Sequence, residues 1–130
     1  MIAGEASSGP ERAPLRFRRA QRLRRPAEFQ AAYREGRRFG NELLSATVRP
    51  NGQPTARLGL SIAARAVGDA VERNRLRRQI RESFRQRQHA LPPVDLVIGA
   101  RAAARGASAG AVRASLQGLW KQIIEAWAHR

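Results

Sequence analysis

Residues 73–85 have the spacing of an amphipathic helix with one apolar and one basic side. At roughly 100° per residue, one stripe holds the apolar side chains Leu76, Ile80 and Phe84. The opposite stripe holds the polar and basic side chains Asn74, Arg78, Arg81 and Arg85. A helix of this kind can pack one edge on a core and present the other edge to a polyanion. The segment therefore predicts a core helix that exposes a row of guanidinium groups.

The alternative interpretation of the basic stripe is an ordinary solvated helix face. Such a face usually carries acidic partners, and only Glu72 and Glu82 lie nearby in sequence. The whole chain has the same imbalance, with 25 Lys+Arg against 10 Asp+Glu in 130 residues and a formal net charge of +15. A field this positive is typical of nucleic-acid-binding proteins, while membrane surfaces and acidic proteins are competing partners. The imbalance favours a polyanion-binding face.

Length and composition indicate one small domain in a reducing compartment. The 130 residues contain no cysteine, which removes disulfides and thiolate metal sites and makes the cytoplasm the simplest setting. No apolar run approaches the roughly 20 residues of a membrane helix, and the N-terminus lacks the apolar part of a secretory signal. Residues 1–14 are rich in Gly, Ser and Pro and predict a disordered lead-in before a folded domain at 15–130.

The first half of the domain reads as a helix followed by strands. A helix is predicted for residues 26–35, since Pro26 suits its first position and Gly36 the residue after its end. Strict alternation predicts strands over 43–49 and 57–63, each with one apolar face and one small, polar face.

The second half contains the arginine-rich helix, one more strand and a final helix. Residues 64–68 are expected to be a linker, with Asp69 as the N-cap of a helix that runs to about His89. Residues 94–100 are apolar apart from Asp95 and predict a strand inside a sheet. Residues 101–110 predict a loop, and Ser108 could cap a final helix. That helix has a broad apolar stripe that we expect to cover the core: Val112, Leu116, Leu119, Trp120, Ile123, Ile124 and Trp127.

The sequence contains no recognisable catalytic site. Its acidic residues are scattered without metal-ligand spacing, and His89 and His129 fall near a helix end and the chain end. No phosphate-binding glycine pattern is present, and Gly59-Leu60-Ser61 lies in a predicted strand rather than a nucleophile elbow. No catalytic residue and no metal ligand is therefore predicted, and any chemistry must come from a partner.

Several short motifs, read in chain order, resemble the protein subunit of bacterial ribonuclease P. The motifs are Arg22-Leu23, Glu28-Phe29 with Tyr33, Gly36-Arg37-Arg38, and the runs at 57–61, 70–78, 81–84 and 95–97. The resemblance covers about residues 15–127. Arg73-Asn74-Arg75 alone would match by chance, but the whole set in this order and spacing is highly specific.

The resemblance implies a single small α+β domain. A roughly four-stranded sheet would pack with three helices in the order αβββαβα, and the extra short strand would fall near residues 38–41. The family fold also implies a left-handed βαβ crossover, which the general right-handed rule would not suggest.

The resemblance also implies a function in tRNA maturation. Ribonuclease P is a ribonucleoprotein endonuclease that removes the 5′ leader of precursor tRNA, and its catalytic RNA subunit would hold the required Mg²⁺ ions. The protein would bind that RNA and the leader. The alternatives are a ribosomal-type structural RNA-binding protein without an enzymatic partner and a basic DNA-binding module, which the lack of a helix-turn-helix or zinc pattern disfavours.

The family's functional positions map onto two sets of residues in this sequence. The set implied to contact the catalytic RNA is Arg73, Asn74, Arg75, Arg77, Arg78, Arg81 and Arg85. The set implied to line the leader cleft is Phe29, Tyr33, Thr47, Ser61 and Arg65. Aromatic stacking beside a basic groove suits binding of a single strand, although both rings could simply be core.

Three features of these sets qualify the mapping. On the helical wheel Arg73 falls only about 60° from Leu76, at the flank of the apolar stripe. Thr47 stands where many family members have an aromatic ring, and Ala64-Arg65 where a pair of lysines is common. The last two departures predict weaker or redistributed leader binding.

Overall fold

Four α-helices and four strands follow one another in residues 21–128, the part of the chain that the computed structural model describes. They are α1 (Pro26–Glu35), β1 (Arg37–Gly40), β2 (Leu44–Pro50), β3 (Arg57–Ser61), α2 (Ala64–Val67), α3 (Ala70–Arg87), β4 (Val94–Ala100) and α4 (Ala109–Ala128). The lead-in predicted at 1–14 lies outside the described residues. Within them, no helix is both long and apolar enough to cross a bilayer.

The strands form one mixed sheet in the order β1-β2-β4-β3. β2 pairs antiparallel with both β1 and β4, while β3 and β4 run parallel, with Leu58 opposite Leu96. A parallel pair needs a crossover connection, which α2 and α3 provide here. The α+β class and the four-stranded sheet are confirmed, and the short strand begins one residue earlier than expected. The left-handed sense of the crossover stays a prediction.

Alternation along the strands places a different core on each face of the sheet. Leu44, Ala46 and Val48 of β2 belong to the main core, which α3 and α4 cover. On the other face, Val97 of β4 packs with Leu23 and with Ala32 of α1. Helix α1 therefore lies on the opposite side of the sheet from α3 and α4.

The arginine-rich helix forms as its periodicity indicates. The side chains of Leu76, Ile80 and Phe84 are buried, and the Asp69 carboxylate accepts the backbone N–H of Glu72 at 3.0 Å. The helix ends at Arg87 rather than at about residue 89. After it the chain forms a turn in which the backbone N–H groups of residues 90 and 91 both donate to the Arg87 carbonyl, and the side chain of residue 91 is buried.

Three local expectations need correction. The linker predicted at 64–68 contains the one-turn helix α2, which Gly68 ends with φ +114°, a conformation that suits glycine. The expected number of three helices was therefore wrong. Strand β3 stops at Ser61 because its pairing with β4 stops there, and the predicted loop at 101–110 contains a 3₁₀ turn, Ala102–Ala104. The cap of α4 is confirmed, since Ser108 Oγ accepts the N–H of residue 111 at 3.0 Å.

Candidate nucleic-acid interface

A shallow basic cleft runs along the exposed side of α3. It has a volume of about 440 Å³, and its lining residues are Arg22, Asn74, Arg78, Arg81, Glu82 and Arg85. We call it the arginine cleft. The segment before α1 forms its second wall, because the Leu23 N–H donates to the Leu58 carbonyl at 2.8 Å. A buried hydrogen bond from Gln21 Nε2 to Gln88 Oε1, at 2.6 Å, ties the same segment to the end of α3.

The positive charges at the centre of the arginine cleft are poorly neutralised. Among residues 21–128, neither Arg78 nor Arg81 forms an ion pair. Burial lowers the pKa of the Arg81 guanidinium, and the neighbouring charges of Arg22 and Arg77 lower it further. A group in such a position repels its neighbours until an anion arrives. The cleft is therefore suited to a phosphate backbone, to which guanidinium groups can donate two hydrogen bonds at once.

Carboxylates and amides on α3 hold the outer arginines of the helix. Glu82 accepts from Arg85, and this hydrogen bond lowers the pKa of the Glu82 carboxyl. Glu72 lies 3.8 Å from Arg75, and Arg77 donates to Asn74 Oδ1 at 3.2 Å. These contacts orient the side chains but leave Arg78 and Arg81 without an ion pair among the described residues.

The structure separates the residues that the sequence assigned together to the catalytic RNA. Four of them share the arginine cleft: Asn74, Arg78, Arg81 and Arg85. Arg73 is half-buried, and its buried Nε has no hydrogen-bond partner among the described residues, which fits its position at the flank of the apolar stripe. Arg22 was missing from the predicted set. Its place in the Arg22-Leu23 motif was the available signal.

A second cavity, of about 320 Å³, lies on the α1 side of the sheet. Four of the residues assigned to the leader cleft line it: Tyr33, Thr47, Ser61 and Arg65. We call it the strand-face cavity. Its remaining lining consists of small or apolar groups: Ser45, Ala63, Ala66, Val97, Gly99 and Ala100. Ser45 could have been predicted, because it lies two residues from Thr47 on the same strand face.

The two rings of α1 occupy different environments, although they are one turn apart. Tyr33 is 44% exposed and borders the strand-face cavity. Phe29 does not line that cavity but packs against the small core around Val97. A Cβ atom added at Gly59 would lie 2.8 Å from the Phe29 ring, so glycine is needed there for close packing. The core interpretation therefore describes Phe29, while Tyr33 has a ring face available for stacking.

Two glycines allow side chains to pack closely against the backbone at the floor of the strand-face cavity. A Cβ atom at Gly99 would lie 2.9 Å from Ser45 Oγ, and one at Gly36 would lie 2.8 Å from Thr47 Cγ2. Thr47 itself is 8% exposed and fits under Gly36. Glycine at positions 36 and 99 therefore lets Thr47 and Ser45 pack closely against the backbone.

A buried ionic network holds α1 beside the sheet. The fully buried Asp95 carboxylate accepts two hydrogen bonds from Arg57, at 2.7 and 2.8 Å, and one from Asn51 at 3.1 Å. The hydrogen bond to Asp95 raises the pKa of Arg57. Arg57 also donates to Glu28 of α1 at 3.2 Å. Although partial burial opposes it, the backbone N–H groups of residues 24 and 25 and the charge of Arg57 lower the pKa of Glu28. The network fixes the wall that carries Tyr33.

The described residues do not form a protein metal site. Within 21–128 there is no cluster of three His, Cys, Asp or Glu side chains that could hold an ion. The donor set of these residues therefore does not fit a resident Mg²⁺ ion.

The fold, the arginine cleft and the strand-face cavity define a small, basic α+β protein with surfaces suited to a polyanion. The ribonuclease P sequence family matches residues 17–124, which is most of the chain. The chain belongs to the ribonuclease P protein family. It is the protein subunit of ribonuclease P, a ribonucleoprotein endoribonuclease that processes tRNA.

Curated relatives and solved structures agree with this assignment. The ribonuclease P protein component of Thioalkalivibrio sulfidiphilus is 36% identical over 107 residues, which cover 82% of this chain and 89% of the relative. That of Salmonella arizonae is 38% identical over 108 residues, covering 83% and 91%. The Staphylococcus aureus protein superposes with a TM-score of 0.74 at 29% identity, covering 79% of this chain and 94% of that one. The Thermotoga maritima protein gives 0.72 at 32% identity, covering 78% and 96%.

Proposed function

We propose that the arginine cleft binds the catalytic RNA of ribonuclease P and that the strand-face cavity binds the 5′ leader of precursor tRNA. The observation that carries the first assignment is the pair of central cations, Arg78 and Arg81, which have no carboxylate partner among the described residues. An exposed tyrosine ring beside Arg65 supports the second. Base stacking on an aromatic ring contributes about 1–3 kcal/mol and tolerates any sequence, as leader binding requires.

The positions of the two sites support a division of labour. The arginine cleft lies on α3, which packs on one face of the sheet, and the strand-face cavity opens beside α1 on the other. Docking of the RNA on α3 would thus leave the cavity open to the leader. The protein would position the substrate and would not itself carry out hydrolysis. Mg²⁺ would supply the chemistry from within the RNA subunit, since the described part of this chain offers no carboxylate cage.

The direct test is reconstitution of precursor processing. The chain should stimulate leader removal when it is mixed with the catalytic RNA and precursor tRNA at low Mg²⁺, because its cations replace part of the counterion requirement. The yield of mature 5′ ends, followed on a denaturing gel, measures the effect. Absence of stimulation would reject the assignment. Hydrolysis by the protein without the RNA would overturn the division of labour.

Replacing Tyr33 by Ala should selectively weaken binding of leader-bearing substrate. Loss of one stacking ring should cost about 1–3 kcal/mol, or roughly 5- to 150-fold in affinity. Binding of precursor and of mature tRNA by the reconstituted holoenzyme is the measurement, and Tyr33→Phe, which keeps the ring, is the control. Equal losses for precursor and mature tRNA would instead indicate that the ring only supports the fold.

A further inference from the structure

A second groove lies between α3 and α4, on the other flank of the arginine-rich helix. Its upper part, beside Arg113, has a volume of about 330 Å³, and its lower part, beside Lys121, has a volume of about 550 Å³. Arg87 and Gln117 line both parts. We call it the interhelical groove. Arg78 and Glu82 line both this groove and the arginine cleft, so the two are contiguous.

The interhelical groove carries four exposed cations and several polar side chains. The cations are Arg78, Arg87, Arg113 and Lys121. None of them forms an ion pair within residues 21–128, and one of the two carboxylates at the groove, Glu82, is already engaged by Arg85. Amide side chains between the cations, such as Gln79 and Gln86, offer both donors and acceptors.

Packing between the two helices makes the groove rigid. Trp120 of α4 is fully buried, and its ring N–H donates to Ser83 Oγ of α3 at 2.7 Å. The Trp120 ring also meets Phe84 edge-on, with a centroid separation of 6.4 Å. The lower part of the groove is lined by the small residues Ala114 and Gly118, and a Cβ atom at Gly118 would meet nothing within 4 Å. A ligand can therefore enter without displacing either helix.

We propose that the interhelical groove binds a second segment of the catalytic RNA through its phosphates; this inference rests on the proposed function. Arg113 and Lys121 are eight residues apart on α4, which corresponds to about 12 Å along the helix axis. Along the axis of a double helix, where each strand has one phosphate per roughly 3.4 Å, that length spans about three to four phosphates of one strand. The catalytic RNA is the fitting occupant because the groove continues the arginine cleft. The leader is not the fitting occupant, because the strand-face cavity proposed for it lies on the other side of the sheet.

Charge reversal of the α4 cations tests the proposal. The variant Arg113→Glu/Lys121→Glu should weaken binding of the catalytic RNA at least tenfold and make the slope of log K against log salt shallower by about two. The matched control is Arg38→Glu/Arg105→Glu, which changes the net charge equally. Both positions are exposed and lie outside the arginine cleft, the strand-face cavity and the interhelical groove. It should leave the slope nearly unchanged. Helical circular dichroism verifies folding, and Arg113→Gln/Lys121→Gln should repeat the slope change with a smaller loss of affinity.

The possible results separate this inference from the proposed function. Equal effects of the groove variant and the control on affinity and slope would overturn the assignment of the groove to RNA binding, because only long-range charge would then matter. Unchanged RNA affinity with reduced binding of precursor tRNA would also overturn it, since the groove would then serve the substrate. Failure of the wild-type chain to bind the catalytic RNA would instead reject the proposed function itself.

Discussion

Replacing Asp95 by Ala should lower the free energy of unfolding by about 3–5 kcal/mol, because it removes one partner of a buried ion pair. The Asp95 carboxylate is fully buried and lies between the guanidinium groups of Arg57 and Arg49, at 2.7 and 3.8 Å. Without it, the two cations would face each other in a region from which water is largely excluded. Arg57 would keep its ion pair with Glu28 of α1 but would have no acidic partner in the sheet. Urea unfolding followed by circular dichroism measures the loss.

Glu35→Ala is the matched control for the Asp95 variant. Its carboxylate pairs with Arg49 at 2.6 Å but is half exposed, so its removal should cost at most about 1 kcal/mol. Both variants delete an acidic partner of Arg49, so the comparison contrasts a buried, multiply bonded carboxylate with an exposed one. Similar losses for the two variants would show that the network around Asp95 contributes no more than a surface ion pair.

The Asp95 network also connects stability with the proposed leader site. Its members come from α1, β3, β4 and the turn after β2, and they fix the start of α1 against the sheet. Tyr33 lies on the same helix, two turns beyond Glu28 at most. Loosening of this end of α1 would let the ring leave the rim of the strand-face cavity. We therefore expect leader binding to depend on a carboxylate that does not touch the leader.

Local periodicity was sufficient to predict most of the secondary structure. The bounds of α1 and β4 follow from their flanking prolines and glycine and from continuous apolar character, and both were predicted to the residue. Helix α2 was missed because four residues are too few to show a helical period. Strand β3 was predicted too long because the apolar alternation continues through Ile62, although pairing with β4 has already ended.

Which residues belong to each of the two sites depends on tertiary contacts that the sequence does not show. Asp95 and Arg57 are 38 residues apart, and no local pattern indicates that they meet. Arg22 reaches the arginine cleft only because its segment pairs with β3. The rings of Phe29 and Tyr33 have the same helical spacing, so only the sheet beneath them determines which is buried. The family resemblance pointed to two regions of the sequence, and packing divided the residues within them.

The variant Arg78→Ala/Arg81→Ala should lose affinity for the catalytic RNA by more than a hundredfold. Each guanidinium is proposed to make a charge-assisted contact with phosphate worth about 1.5–3 kcal/mol, so the pair should contribute at least about 3 kcal/mol. The slope of log K against log salt should become shallower by about two, because fewer counterions are released. Binding titrations across a salt series measure both quantities, and Arg38→Ala/Arg105→Ala controls for net charge.

The same variant should keep or increase its stability, which distinguishes a binding face from a structural one. Arg81 is repelled by Arg22 and Arg77, and neither Arg78 nor Arg81 has an acidic partner among the described residues, so their removal relieves repulsion. Alanine also has the highest helix propensity, which favours α3. Urea unfolding should therefore give a midpoint at or above that of the wild type. A lower midpoint together with weaker RNA binding would mean that these arginines support the fold, and wild-type affinity would remove them from the interface.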